Sequence, residues 1–123
     1  MVDKNIMNTL KDDITEYIDT FVSCNTAFVD VPKEWVTEKF NEYGVPIVNE
    51  YGYKSDYYTR GDLQFSYDKD TDEVTEILLF PTFDDSDKGL FNGGSFINVT
   101  EDYREYAGEV LKEAKRKFNE ENN

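Results

Sequence analysis

The chain has 123 residues, and its 27 acidic against 13 basic side chains leave a net charge of −14 at pH 7 with no histidine anywhere. That length suits one domain with one core, and the missing imidazole removes the commonest general base, the commonest zinc ligand and every nucleophile–histidine pair. Such a charge disfavours free nucleic acid and anionic membranes as partners and favours basic surfaces.

The first helix is expected from about Asp3 to Val22, because Ile6, Leu10, Ile14, Tyr17, Ile18, Phe21 and Val22 recur at intervals of three and four. Residues 23–30 break this pattern with small and polar side chains. Asp30-Val31-Pro32 then signals a second helix, since proline fits the first helical turn. Trp35, Val36, Phe40 and Tyr43 form its apolar face, Gly44 is placed to end it in a left-handed conformation, and Pro46 prevents continuation. Ile47-Val48 followed by residues 50–53 reads as a strand, and residues 54–56 as a turn. Leu63, Phe65 and Tyr67 alternate with polar residues, and the polar stretch 68–72 separates them from the run 73–80, so a β-hairpin is expected there. Its second arm is apolar on both faces near its end, as a central strand would be, with Pro81 as terminator. Residues 82–96 read as an acidic, glycine-containing loop. Asn98 and Glu101 have capping-box spacing, with Thr100 as the alternative cap, and a final helix carries Tyr103, Tyr106, Ala107, Val110, Leu111, Ala114 and Phe118 inward. Lys112, Lys115, Arg116 and Lys117 are expected in its last turns, where cations complement the helix dipole. The fold class is therefore α+β in one domain: two N-terminal helices, a small, mainly antiparallel sheet of three to four strands, and a C-terminal helix packed on the sheet.

Nine Tyr, nine Phe and one Trp supply the core that a 38% hydrophobic content would otherwise leave thin. No charged n-region leads into an apolar h-region, and no run of 18 apolar residues occurs, so a cytoplasmic location without membrane contact is expected. Cys24 is the single cysteine, and its apolar surroundings suggest a buried thiol. No Walker loop is present, and Gly93-Gly94-Ser95 reads as a turn. Residues 68–72, Asp-Lys-Asp-Thr-Asp, look like the opening of a calcium-binding EF-hand loop. The likeness stops at Glu73, where the sharp turn needs glycine, and at Leu79, where a bidentate glutamate is needed. A solvated hairpin tip fits better. Asp84, Asp85 and Asp87 likewise read as a polar surface loop, and no cofactor is expected. Carboxylate-based, magnesium-assisted catalysis stands as a third functional reading behind two binding roles.

Charge is unevenly placed along the sequence. Between Asp62 and Asp87, nine acids face only Lys69. This segment is expected to form an acidic pole, with the basic residues gathered on the last helix. A hairpin ~27 Å long spans a stretch of duplex DNA carrying ~16 charges, so the pole amounts to partial phosphate mimicry at most. Tyr51, Tyr53, Tyr57 and Tyr58 cluster just before it. Alternation places Tyr51 and Tyr53 on one strand face and turns Tyr57 and Tyr58 apart, leaving at least one ring accessible to stack on arginine in a partner's pocket.

In size and charge the chain resembles phage-encoded inhibitors such as anti-CRISPR proteins and DNA-mimicking antirestriction or glycosylase inhibitors, a likeness that covers no motif. It implies an acidic inhibitor that blocks the basic surface of a nuclease or other nucleic-acid-binding protein without touching nucleic acid directly. The expected contact residues are Tyr57, Tyr58, Asp68, Asp70, Asp72, Glu73, Asp84, Asp85 and Asp87. An immunity protein that neutralises a cationic nuclease toxin is the alternative.

Overall fold

Alternation of apolar side chains along three strands and three-to-four spacing along the helices give each element a face turned to the core, and those faces meet. The computed structural model describes residues 4–49, 51–54, 56–68, 70–71, 73–83 and 95–121. In chain order these form α1 (Lys4–Glu16), α2 (Ile18–Ser23), β1 (Thr26–Pro32), α3 (Lys33–Tyr43), β2 (Tyr58–Tyr67), β3 (Val74–Phe83), β4 (Ile97–Asn98) and α4 (Thr100–Glu121). The fold is α+β: N-terminal helices, one antiparallel four-stranded sheet in the order β1-β2-β3-β4, and α4 packed against β3. As expected, β3 is a central strand.

On the inner face, Val29 of β1, Leu63 of β2 and Leu79 of β3 stand in register across the sheet, as do Ala27, Phe65 and Ile77. Leu10 and Ile14 of α1, Phe21 of α2, Trp35, Val36 and Phe40 of α3, and Tyr103, Ala107 and Leu111 of α4 close over them. Complete burial of each large aliphatic or aromatic side chain contributes about 1.5–3 kcal/mol. The Phe21 ring meets Phe65 edge-on at 6.1 Å, and Trp35 meets Tyr103 edge-on at 5.6 Å. Gly61 lets α3 press on the sheet, because a Cβ there would lie 2.3 Å from Val36 Cγ2 and 2.8 Å from the Phe80 carbonyl oxygen.

Several local expectations are corrected. The first helix is broken at Tyr17, whose carbonyl accepts from both the Thr20 and Phe21 N–H groups. The break leaves the Tyr17 ring exposed while Phe21 turns into the core. Asp3 and the Ile6 side chain lie outside the described residues. Residues 26–30, read as irregular, and Val31-Pro32, read as the start of a helix, together form the edge strand β1, because Ala27, Val29 and Val31 alternate inward against β2. Pro32 accordingly ends β1 and caps α3 from outside the helix. Gly44 does adopt the left-handed conformation, with φ +68°. Cys24 follows α2 and is exposed.

Among the described residues of the span 47–53, no long strand forms. Val48 and Lys54 make a single antiparallel bridge around a turn in which the Asn49 side chain accepts the Tyr51 and Tyr53 N–H groups and Gly52 has φ +84°. Pro81 does not end β3, which continues to Phe83. Val99 N–H bonds the Ile77 carbonyl, and the Thr100 hydroxyl accepts the Ile77 N–H. Odd-numbered residues of β3 thus turn their backbone groups away from β2. At Pro81 the missing N–H faces a side that β4, paired only at Leu78 and Leu79, does not reach. The Thr100 hydroxyl also donates to Asn98 Oδ1 at 2.5 Å, and the same oxygen serves the start of α4 by accepting the Thr100 N–H at 3.0 Å. Helix α4 runs on to Glu121, so Lys112, Lys115, Arg116 and Lys117 precede its last turn, which holds no cation.

Candidate interaction surface

The β2–β3 turn is built by Asp68. Its Oδ1 accepts the N–H groups of Asp70 at 2.8 Å and Thr71 at 3.3 Å, and its own N–H bonds the Glu73 carbonyl. Asp68, Asp70 and Glu73 are exposed at this tip. Asp72, and Asp84, Asp85 and Asp87 beyond Phe83, lie outside the described residues. The tip is not an isolated negative pole. Glu73, Val74 and Thr75 share a surface groove with Arg104, Glu105, Glu109 and Lys112 of α4, and Lys115 sits 5.8 Å from the Tyr67 ring centre. Positive side chains of α4 therefore stand beside the acids rather than at the far end of the molecule. Nor is α4 a basic pole: it holds seven acids against five cations, and Arg104–Glu101, Arg116–Glu120 and Lys117–Glu113 pair along its surface. The separation of charge read along the sequence is lost because the antiparallel sheet and α4 pack side by side.

The proposed tyrosine and acidic contacts are also separated. Tyr57 precedes β2 and Asp68 follows it, so ten extended residues, or roughly 30 Å, lie between them. Tyr57 is 81% exposed. Tyr58 is corrected from contact residue to core residue: it is 5% exposed, its ring meets Phe83 edge-on at 6.0 Å, and its hydroxyl lies 2.6 Å from the Thr37 hydroxyl. Successive residues of a strand point to opposite faces, which is why neighbours of identical type diverge.

Tyr51 and Tyr53, 69% and 72% exposed, join Tyr57 as large exposed rings of the segment between α3 and β2. The backbone beneath them is braced. Asn49 N–H bonds the Tyr53 carbonyl and Gly52 N–H the Asn49 carbonyl, while Val48 and Ser95 exchange two bonds that tie the turn to the approach to β4. Lys33 Nζ reaches the Asp56 carbonyl at 2.9 Å. Sequence alternation placed Tyr51 and Tyr53 on a strand. The Asn49…Gly52 spacing, a side-chain acceptor followed by a residue able to take positive φ, was the available sign of a turn.

Asp62, one of the nine acids of the supposed pole, is 2% exposed on the outer sheet face. Its Oδ2 accepts from the Thr82 hydroxyl at 2.6 Å. Burial pushes its carboxyl up to about 6, an effect that Thr82 opposes and Asp30 reinforces. A second groove, of about 560 Å³, runs between α1, α2 and the edge of β1, with Asp13, Tyr17 and Asp30 at its rim. Burial, then Asp30, Glu16 and Asp12, raise the Asp13 carboxyl, which marks this rim as acidic.

Between α3 and α4, Lys39 lies near the Trp35 and Tyr103 rings, at 5.9 Å and 5.4 Å from their centres, and pairs with Glu42 at 3.1 Å. Burial works against its charge, but Glu42 and Tyr103 leave its pKa raised. Among the described residues there is no group of three or more His, Cys, Asp or Glu able to hold a metal ion, and no helix is long and apolar enough to cross a membrane. No family model, curated protein or solved structure matches the chain.

Proposed function

We propose that the protein is an acidic inhibitor of a nucleic-acid-handling enzyme, of the anti-defence type carried by phages and mobile elements, and that it occupies a basic nucleic-acid-binding surface. The observation that supports this reading is the braced turn presenting Tyr51 and Tyr53, with Tyr57 close behind in the chain. Rigid aromatic side chains lose little conformational freedom on docking and stack well on arginine, which lines channels built for phosphate. The net charge of −14 accelerates encounter with such a surface, while the rings slow departure from it. Anchoring is thereby assigned to the tyrosine turn, and steering to the charge as a whole, including Asp68, Asp70 and Glu73.

The test is inhibition and binding against a panel of CRISPR effector nucleases, restriction enzymes and nuclease toxins, at low and high salt. Truncating Tyr51, Tyr53 and Tyr57 to alanine is expected to weaken binding to the inhibited enzyme at least ~100-fold, chiefly through faster dissociation. Converting Asp68, Asp70 and Glu73 to their amides is expected to slow association several-fold at low salt only. Unchanged cleavage by every enzyme in the panel, or an affinity indifferent to both salt and ring removal, would overturn the reading.

A further inference from the structure

Asp62 stands directly across the β1–β2 ladder from Asp30. The bond from Tyr67 N–H to the Asn25 carbonyl sets the alternation of this ladder and makes Asp30 and Asp62 a non-hydrogen-bonded pair. In that class facing Cα atoms approach to ~4.5 Å, so two ionised carboxylates there repel. Asp62 is nevertheless buried. Thr82 satisfies its Oδ2, but its Oδ1 is buried with no donor aimed at it. An ionised carboxylate is poorly accommodated in this way. A protonated one has an O–H to give, and the Asp30 carboxyl, directly opposite on the ladder, is the acceptor that helps to hold the proton on Asp62. Asp30 itself is mostly exposed, and Arg60 Nε lies 3.7 Å from its Oδ1.

We propose that Asp62 and Asp30 share one proton across the ladder and form a pH-sensitive clasp on the edge strand β1, which loosens when that proton leaves. The charged groups acting on Asp62 are Asp30 from β1 and Arg60 from its own strand, while β3 faces it with neutral Phe80 and Thr82. From α1, Asp13 lies close enough to Asp30 to feel its charge and adds to the pressure on β1 once both acids of the pair are ionised. Because the carboxyl is raised in the folded chain, the native state binds the extra proton between the ordinary carboxylate range and about pH 6. The contribution of the clasp is therefore present at low pH and is lost as pH rises through that window. At neutral pH, Asp30 is left to Arg60 and solvent, and β1 is held mainly by its backbone bonds and inner-face packing.

The test uses the intact chain. A carboxyl ¹³C NMR titration is expected to show Asp62 with a midpoint near 6, and Asp30→Asn is expected to lower that midpoint by about one unit or more. Amide exchange at Val29 and Val31, corrected for its intrinsic pH dependence, is expected to be about tenfold faster at pH 7.5 than at pH 5, and in Asp62→Asn to be equal at both. An Asp62 midpoint in the ordinary carboxylate range, or one that Asp30→Asn leaves in place, overturns the shared proton. Equal protection of β1 at both pH values in the unmodified chain overturns the clasp, and neither result depends on Asp62→Asn folding.

Discussion

Leu63 and Asp62 are neighbours on β2, and both are buried, but on opposite faces of the sheet and by different means. Leu63 stands between Val29 and Leu79 with the helices above it, and needs from its surroundings only shape and the absence of water. Asp62 stands between Asp30 and Phe80 and needs a partner for each oxygen. One hydroxyl supplies the first, and the second depends on a proton. The inner face is consequently indifferent to pH, while the outer face responds to a single titration or to the loss of one donor.

This contrast can be broken at three points. The largest effect is expected from Leu63→Ala, which leaves a cavity at the centre of the core and should cost about 3–4 kcal/mol in urea unfolding, equally at pH 5 and pH 7.5. A loss below 1 kcal/mol would mean that the inner face refills and is less closely packed than its complete burial indicates. Thr82→Val keeps the shape of the side chain but removes the donor to Asp62 Oδ2. It should cost about 1–2 kcal/mol at pH 7.5 and less at pH 5, and should move the Asp62 midpoint upwards, since that bond favours the ionised form. Equal costs at the two pH values would separate Thr82 from the titration. The smallest effect is expected from Glu76→Gln. Glu76 also lies on the outer face, opposite Ser66, but it is exposed, and its stability should stay within about 0.5 kcal/mol of the parent chain in the same unfolding experiment. A larger change would show that outer-face charge matters even where water reaches it.

The same distinction explains which features could be read along the chain. Alternation at Leu63, Phe65 and Tyr67 identified β2 because each residue carried the sign of its own face. Gly44 marked the end of α3 because the left-handed conformation depends on that residue alone. Strand β1 was missed because Asn25, Thr26 and Asp30 dilute an alternation that only pairing with β2 makes decisive. Tyr57 and Tyr58 were offered together as contacts, and only the packing of Phe83 and Thr37 around Tyr58 separates core from surface. The acidic pole was a property of sequence order. In the folded chain, Asp62 left it for a buried site, and Lys112 and Lys115 came to stand beside the hairpin tip.

By itself, the sequence determined the helices α3 and α4, the β2–β3 hairpin and the α+β class, since periodicity and capping act within a few residues. The tertiary structure alone decided that Asp30 and Asp62 face each other, that Pro81 sits harmlessly within a strand, and that Tyr51, Tyr53 and Tyr57 are left to solvent while Tyr58 is buried. Each of those outcomes depends on which distant segment lies alongside, and pairing across a sheet is set by the combined burial of all its strands rather than by any one of them.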